Sequence, residues 1–225
     1  MNLAALFPGK GLTAVEEVTG LTADSRKVKP GFIFAALKGV TADGRDYIPQ
    51  AIKNGAIAVI GHDLPDMGDV VAIDVEEPRL TLATASAAFF ASQPQTIVAV
   101  TGTNGKSSTV DFLRQIWETS GITAASMGTL GAIGPNGPEG HIDVGHTTPD
   151  PVTIHETLAE LARQGVTHCA MEASSHGLVQ YRLDAVKLAA CAFTNLTQDH
   201  LDYHADMDEY RAAKMRLFTE LMPAG

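Results

Sequence analysis

The chain has 225 residues, of which 45% are hydrophobic and 19% charged, and its formal net charge is −10 at pH 7. This composition is ordinary for a globular protein of one or two domains, and the negative charge argues against nucleic acid or an anionic membrane surface as a partner. No run of about 18 apolar residues occurs, so the sequence predicts no membrane span.

The two cysteines and the first residues indicate a compartment. Cys169 and Cys191 lie in apolar, strand-like runs, and we expect two buried free thiols rather than a disulfide, as in a reducing cytoplasm. Met1–Pro8 lacks a basic segment and is broken early by proline, which is not typical of a signal peptide. We therefore expect a cytoplasmic protein.

Residues 1–92 are predicted to form a first, small α/β unit. The predicted strands are Phe32–Leu37, Ala56–Ile60 and Val70–Ile73, and the predicted helices are Tyr47–Asn54 and Arg79–Ala91. Gly55 ends the first helix and Pro78 opens the second. Ser92–Gln95 is the best candidate for a linker.

Residues 93–225 are predicted to form a second unit. Its predicted strands are Thr96–Val100, Val166–Met171 and Leu188–Phe193, and its predicted helices are one ending at Gly121, one marked by Ile154, Leu158 and Leu161, and Met207–Met222. Gly131–Gly145 carries five glycines and two prolines and is predicted to be a long loop. Alternating strands and helices imply an α/β fold with a parallel sheet.

The stretch Thr101–Thr109 indicates nucleotide binding. A strand, a glycine loop, Lys-Ser and a helix form the arrangement that cradles phosphates on backbone N–H groups. Lys106 would reach the terminal phosphates and the Ser107 hydroxyl would bind Mg²⁺. Because Val100 replaces the usual first glycine, a merely structural turn is the alternative. The candidate ATP-binding residues are Gly102, Thr103, Asn104, Gly105, Lys106, Ser107 and Ser108.

Two residues that follow predicted strands are candidate metal ligands. Glu172 could hold the Mg²⁺ that Ser107 also contacts, with a helix cap or a solvated loop glutamate as the alternative. His200 could bind a second metal, although a lone histidine is more often a packing or hydrogen-bonding residue.

Lys214 lies on the apolar stripe of the last predicted helix, four residues from both Tyr210 and Phe218. One interpretation is a lysine whose stem packs while its amine reaches water. The other is a desolvated lysine with a lowered pKa, whose neutral amine can react with CO₂ to give a carbamate, an oxygen ligand for Mg²⁺.

Several loops carry polar residues with open interpretations. His146, Thr147 and Thr148 suit sugar or phosphate oxygens, or form a simple turn before a helix. Arg182, close to Gln180, could clamp a carboxylate or phosphate, or merely cover the surface. In the first unit, Asp24–Arg26 and Thr41–Arg45 alone are typical of ordinary loops.

Taken together, these segments resemble the Mur ligase family, and within it the MurE type, over almost the whole chain. The matching segments are Asp24–Arg26, Asp43–Ile48, Thr101–Thr109, Thr147–Pro149, Glu172–Leu178, Asp199–His204 and Tyr210–Lys214. The family's ATP loop also lacks the first glycine, so Val100 fits it. The resemblance implies a small N-terminal α/β substrate-binding domain followed by a truncated P-loop, parallel-sheet, ATPase-like central domain.

The resemblance also implies roles for individual residues. Ser107 and Glu172 would hold one Mg²⁺, and His200 and carbamylated Lys214 the other. The uridine diphosphate end of the substrate would contact Ala23, Ser25, Val40, Thr41 and Ala42. The muramoyl-dipeptide would contact Thr147, Thr148, Ser174, Gln180 and Arg182, and also His146, which stands where the type often carries asparagine.

The implied reaction is ATP-dependent ligation of a diamino acid to UDP-N-acetylmuramoyl-L-alanyl-D-glutamate through an acyl phosphate. The family's third domain, which binds the incoming amino acid, is absent, so we expect this chain to be inactive alone. We also expect a monomer. The alternatives are a related Mur or folylpolyglutamate-type ligase, or a non-catalytic nucleotide-sugar binding module.

Overall fold

The computed structural model describes residues 1–10, 16–39, 42–135, 137–199 and 203–222, and the chain divides into two compact units, Met1–Phe89 and Phe90–Gly225. Each unit contains its own β-sheet, with parallel strands as the sequence predicts. Within the described ranges, no helix is both long enough and apolar enough to cross a lipid bilayer.

The first unit is a four-stranded, fully parallel sheet with the strand order β1-β2-β3-β4. The strands are β1 (Gly20–Thr22), β2 (Phe32–Ala35), β3 (Ala56–Gly61) and β4 (Val71–Asp74). The helices are α1 (Leu3–Leu6), α2 (Ile48–Lys53) and α3 (Pro78–Phe90), with 3₁₀ turns at Ser25–Lys27 and Gly44–Tyr47. A core around Phe34, Ile48 and Val59 joins α2 to the sheet.

The second unit is a six-stranded sheet with the order β10-β5-β9-β6-β7-β8. The strands are β5 (Thr96–Thr101), β6 (Ala124–Gly128), β7 (Gly131–Gly134), β8 (Gly137–Ile142), β9 (His168–Glu172) and β10 (Ala190–Phe193). The helices are α4 (Lys106–Thr119), α5 (Pro151–Arg163), α6 (Ser175–Val179) and α7 (Met207–Arg216), which continues as a π-helical turn, Leu217–Leu221. The first four strands in this order are parallel, and β7 and β8 are antiparallel.

Local chemistry explains where the helices of the second unit begin. The Asp150 side chain accepts hydrogen bonds from the first turn of α5, with Pro151 at its first position. The Asp206 side chain caps α7 by accepting from the Glu209 amide, while the Glu209 carboxylate accepts from the Ala205 amide. This arrangement is close to a capping box, with the glutamate contact shifted by one residue.

The predicted long loop at Gly131–Gly145 is wrong, because β7 and β8 pair there as an antiparallel hairpin on β6. Gly131 and Gly137, with φ of +82° and +59°, supply left-handed turn conformations in this hairpin. Strand pairing needs only backbone groups, so a glycine-rich segment can join a sheet without an apolar pattern. The short strands β1 and β6 were also not predicted.

Other elements differ from prediction mainly at their ends. The linker candidate Ser92–Gln95 is attached to the second unit, because the Gln93 side chain hydrogen-bonds both the amide and the carbonyl of Lys187.

Cys169 is a buried free thiol and Cys191 a partly buried one. Burial raises the pKa of Cys169 to about 12, which makes it an inert packing residue.

Candidate active site

The glycine loop predicted to bind phosphate lies between β5 and α4. Gly102 has φ of +142°, and a Cβ there would lie 1.9 Å from the Thr194 hydroxyl oxygen, so this position accepts only glycine. Gly105, in the left-handed region with φ of +85°, begins α4 without a side-chain cap. The first amides of α4 are therefore left for an anion, which the helix dipole also favours.

Lys106 folds back over this loop. Its Nζ donates to the carbonyl oxygens of Gly102 at 2.9 Å and Thr103 at 3.0 Å. Burial lowers the pKa of the Lys106 amine, and the negative charges of Glu172 and Asp199 oppose that shift. The side chain thus holds a positive charge directly above the backbone that would receive phosphate.

The segment after β10 holds the loop from the other side. Thr194 Oγ1 and Asn195 Nδ2 donate to the Asn104 carbonyl at 2.7 and 3.0 Å, and the Asn104 amide donates to Asn195 Oδ1 at 3.0 Å. No sequence motif predicts these two residues as part of the site. The one sequence feature that could have indicated them is their position directly after a predicted strand. Ligands bind at that edge in open α/β sheets.

Glu172 lies at the carboxyl end of β9, in register with Val100 of β5, and is 2% exposed. Its Oε1 accepts from the Thr129 amide at 2.8 Å, and its Oε2 contacts the Thr129 hydroxyl at 3.4 Å. The nearby helix cap is Ser174, which accepts from the Gly177 amide. Glu172 is therefore neither a helix cap nor a solvated loop residue, and its role as a metal ligand stays a prediction.

The structure describes only some of the residues that are predicted to bind metal ions. Ser107 lies half-buried in the first turn of α4, while His200 lies outside the described residues. Among the residues that are described, no three His, Cys, Asp or Glu side chains cluster as a metal site. The predicted first set, one carboxylate and one hydroxyl, has the hard oxygen atoms that Mg²⁺ prefers.

Lys214 is 1% exposed and faces inward from α7. Its Nζ donates to the Gly102 carbonyl at 2.8 Å and lies 4.4 Å from the centre of the Tyr210 ring. Burial and the nearby charge of Lys106 lower the pKa of Lys214 to about 8, opposed by Asp199. The interpretation in which its amine reaches water is therefore wrong.

Three further side chains complete this half of the site. Thr103 Oγ1 lies 3.2 Å from the hydroxyl of buried Tyr210 and donates to the Thr197 carbonyl at 3.1 Å. The charge of Asp199 opposes the lowering of the pKa of Lys106 and Lys214, and it adds to the raised pKa of Tyr210, which is due mainly to burial. The sequence motif Asp199–His204 includes Asp199 but does not by itself indicate a role for it in the site.

A second polar group lies beside Glu172. Thr148 Oγ1 donates to the Glu172 carbonyl at 3.0 Å and accepts from the Ser174 amide at 2.9 Å. Arg182 donates through Nη1 to the Thr148 carbonyl at 2.6 Å, and through Nε and Nη2 to Gln180 Oε1 at 3.2 and 2.8 Å. Thr148 is therefore part of a hydrogen-bonded group and not only of a turn. Arg182 contacts that group and does not merely cover the surface.

The remaining predicted residues of this unit lie at the edge of that group. Thr147 Oγ1 is 2.9 Å from the Thr129 hydroxyl, which also contacts Glu172. His146 is exposed beside it. The structure thus brings together Thr147, Thr148, Ser174, Gln180 and Arg182, five residues from three separate segments of sequence.

The first unit carries the other predicted substrate residues. Ser25 is 7% exposed at the end of β1, and its carbonyl accepts from Asn54 Nδ2 at 2.8 Å. Ala23 and Ala42 are exposed, whereas Val40 and Thr41 lie outside the described residues.

Charged residues frame these positions in the first unit. Asp24 caps the 3₁₀ turn of Ser25, and the Arg26 guanidinium holds the pKa of Asp24 at about 2. Next to Ala42, a cleft of about 310 Å³ opens at the carboxyl ends of β2–β4. Arg79 lines this cleft and donates to the Lys38 carbonyl at 2.8 Å.

Two family models match the chain. The model described as "Mur ligase middle domain" matches residues 100–225, and the model described as "Mur ligase family, catalytic domain" matches residues 17–104. The matched segments include the glycine loop, Glu172 and Lys214 in the second unit, and Ser25 in the first.

Curated relatives carry one shared name, UDP-N-acetylmuramoyl-L-alanyl-D-glutamate--2,6-diaminopimelate ligase. The protein of Brucella melitensis biotype 1 is 56% identical over 212 residues, which is 93% of this chain and 43% of the relative. The protein of Rhizobium meliloti (strain 1021) is 53% identical over 218 residues, 96% of this chain and 44% of the relative. The chain therefore spans less than half the length of these relatives.

A solved structure with the same name superimposes with a TM-score of 0.82 and 31% identity, covering 97% of this chain and 45% of that one. The likeness thus extends over both units and their sheets. Because the middle-domain model alone matches more than half of the residues, the chain belongs to the Mur ligase family.

Proposed function

We propose that this chain is the substrate- and ATP-binding part of an ATP-dependent amide ligase that adds a diamino acid to UDP-N-acetylmuramoyl-L-alanyl-D-glutamate. The observation that carries the proposal is the convergence of Lys106 and Lys214 on the Gly102 carbonyl, beside buried Glu172. Cationic groups close to a glycine loop favour a reaction between two anions, a carboxylate and a nucleoside triphosphate, because they offset the repulsion between them. The names of the relatives support this substrate.

The residues present fit ATP and Mg²⁺. Residues Gly102–Ser108 would hold the phosphates, because the first turn of α4 lacks a side-chain cap and Lys106 can leave its two carbonyl partners. Ser107 and Glu172 would hold one Mg²⁺, and His200 with a carbamate on Lys214 would hold another. When bound, the metal ions would neutralise the charge that develops on the transferring phosphoryl group.

The proposed chemistry has two steps. An oxygen of the substrate's D-glutamyl carboxylate attacks the γ-phosphorus of ATP, the bond to the bridging oxygen breaks, and an acyl phosphate and ADP result. The neutral amine of the incoming amino acid then attacks the acyl carbon, phosphate leaves, and the amine's proton passes to solvent. Lys106 and Arg182 would offset the repulsion between the two anions, and a closed site would keep water from the acyl phosphate.

The carbamate on Lys214 is a proposal supported by the amine's surroundings. A lysine amine must be neutral to attack CO₂, and the pKa of Lys214 is lowered to about 8 by burial and by Lys106. The new N–C bond would form with loss of one proton from nitrogen, and the product would carry a negative charge in place of a positive one. That product would also relieve the repulsion from Lys106.

Three further points belong to the proposal. The incoming amino acid is 2,6-diaminopimelate in the names of the relatives, and we infer either that or lysine here. We infer a cytoplasmic monomer, which the free thiols of Cys169 and Cys191 suit. That the chain forms no product by itself stays a prediction.

Calorimetric titration of the chain with UDP-N-acetylmuramoyl-L-alanyl-D-glutamate tests the substrate. We expect tighter binding than of UDP-N-acetylglucosamine, and about 10-fold weaker binding after Ser25→Ala or Arg182→Ala, the size expected for one lost polar contact. Equal affinity for both ligands, in a chain shown by circular dichroism to be folded, would contradict the substrate assignment. Binding of the UDP sugars without any affinity for Mg²⁺-ATP would instead indicate a non-catalytic nucleotide-sugar binding module.

A further inference from the structure

A directional chain of hydrogen bonds runs through the second polar group of the site. Arg182 has only donor groups, and its Nε and Nη2 both lie against Gln180 Oε1, at 3.2 and 2.8 Å. The orientation of the Gln180 amide is therefore fixed, because only its oxygen can face the guanidinium. Its nitrogen must point the other way.

The Gln180 nitrogen points at Tyr203. Gln180 Nε2 lies 3.3 Å from the Tyr203 hydroxyl oxygen, and Nε2 can only donate, so the tyrosine oxygen is the acceptor. A phenol that accepts through its oxygen still has its own hydrogen to donate. The Tyr203 ring is half-buried and packs on His176, with ring centres 3.9 Å apart, which fixes the direction of the hydroxyl.

We propose that Tyr203 is an additional substrate-binding residue, whose hydroxyl donates a hydrogen bond to an oxygen of the dipeptide part of the substrate. This inference rests on the proposed function and on the contacts that the family resemblance implies for the muramoyl-dipeptide, which include Gln180 and Arg182. A carboxylate or peptide carbonyl of the substrate at this position would face hydrogen-bond donors along the whole chain of contacts from Arg182 to Tyr203. Tyr203 thereby adds specificity for the peptide rather than for the nucleotide sugar.

The substitution Tyr203→Phe isolates this role. It removes only the hydroxyl and keeps the ring that packs on His176, so the fold of the segment is retained. Tyr181→Phe is the matched control, because the Tyr181 ring stacks on the Arg216 guanidinium at 4.3 Å and belongs to no part of the proposed binding site. Thermal unfolding of both variants monitors stability.

The measurement is the affinity for UDP-N-acetylmuramoyl-L-alanyl-D-glutamate and for UDP-N-acetylmuramate, which lacks the dipeptide. We expect Tyr203→Phe to weaken binding of the dipeptide ligand about 10-fold, as for one hydrogen bond to a charged group, and to leave UDP-N-acetylmuramate unchanged. Tyr181→Phe should change neither affinity. Unchanged binding of the dipeptide ligand by Tyr203→Phe would overturn the inference.

Two further outcomes are distinct. If the parent chain binds both ligands equally, the proposed function fails, and the role of Tyr203 fails with it. If the parent chain prefers the dipeptide ligand, Tyr203→Phe is repeated in a Gln180→Leu background. A direct contact predicts that the loss persists there, whereas a loss that disappears would mean that Tyr203 acts only by orienting Gln180, and the direct contact would be overturned.

Discussion

Lys214 and Lys106 place two ammonium groups on one carbonyl oxygen, that of Gly102. Two positive charges so close together repel each other, and burial adds a desolvation cost for the charged form of each amine. Lys214 is the more buried of the two, and its pKa is lowered to about 8. At the scale of single residues, the site therefore contains an amine that is partly neutral near physiological pH.

This lowered pKa predicts a specific pH dependence of stability. Well below pH 8 Lys214 is protonated in both the folded and the unfolded chain. Between pH 8 and 10.5 the unfolded chain binds more protons, so the unfolding free energy should rise with pH, by up to about 3 kcal/mol. The rise should be missing in Lys214→Met and retained in Lys187→Met, at an exposed position. Parallel curves for Lys214→Met and the parent chain, from urea unfolding in CO₂-free buffer, would contradict the lowered pKa.

Gly128 controls where the Glu172 carboxylate lies. A Cβ at Gly128 would be 2.1 Å from Glu172 Oε1, so Gly128→Ala must displace the carboxylate. We expect the Mg²⁺-dependent part of the affinity for ATP to fall about 10-fold, and the unfolding free energy to fall by about 1–3 kcal/mol because the added methyl overpacks a buried strand. Gly134→Ala is the control, since its Cβ would meet its nearest neighbours, Gln164 and Leu161, at an ordinary 3.4 Å. Equal ATP titrations for both variants would argue against Glu172 as a metal ligand.

The sequence allowed prediction of those site residues that form contiguous motifs. The glycine loop is one segment, so its residue types and order suffice to indicate phosphate binding. Thr129, Asn195 and Asp199 could not be selected in that way, because Thr129 follows β6 whereas Asn195 and Asp199 follow β10, and all three are of ordinary loop types. Only the sheet order, which places the ends of β10, β5, β9 and β6 side by side, shows that these residues lie near one another.

At the scale of elements, predictions held where apolar side chains set the pattern. The strands β3 and β5 are apolar runs buried in parallel sheets, and their sequences indicate them directly. The hairpin β7–β8 was missed because glycine and proline dominate its sequence and its pairing depends on β6, which lies outside the segment. Sheet edges of this kind are determined by neighbouring strands more than by local sequence.

One ion pair connects the segment after α6 to α7. Arg216 binds Asp184 with both guanidinium nitrogens, at 2.6 and 2.9 Å, and the two side chains are 13% and 9% exposed. Asp184 lies between Tyr181 and Ala185, which have left-handed φ values of +57° and +66°. The pair thus fixes a strained segment that carries Arg182 against the helix that carries Lys214.

Removing one partner of this pair should be strongly destabilising. Arg216→Met leaves the Asp184 carboxylate buried and uncompensated, and we expect a loss of about 3–5 kcal/mol in unfolding free energy. Arg163→Met, which breaks the ion pair with Glu160 at a position whose arginine is 74% exposed, should cost only about 0–1 kcal/mol. Adding Asp184→Asn to Arg216→Met should recover part of the loss. Similar urea midpoints for the two arginine variants would show that the buried pair does not contribute.

At the scale of the whole molecule, the chain contains two sheets with separate cores and separate sets of predicted ligand contacts. In the first unit, Ser25 and Ala42 follow β1 and β2. In the second unit, the glycine loop and Glu172 follow β5 and β9. Both sets occur at the carboxyl ends of parallel strands, where open α/β sheets bind ligands. Each unit therefore has its own sheet edge of the kind that binds ligands, and under the proposed function the two edges serve different ligands.

This division predicts that binding of the two substrates can be separated by mutation. Ser25→Ala should weaken binding of UDP-N-acetylmuramoyl-L-alanyl-D-glutamate and leave the affinity for Mg²⁺-ATP unchanged, because Ser25 belongs to the first unit. Lys106→Ala should lower the affinity for Mg²⁺-ATP about 10- to 100-fold, through loss of a charged contact to phosphate, and should spare UDP-N-acetylglucosamine. Separate calorimetric titrations measure each affinity. If either substitution weakened both ligands equally while the chain stayed folded, the two ligands would not bind independently, and the assignment of the uridine diphosphate end to the first unit and of ATP to the second would be wrong.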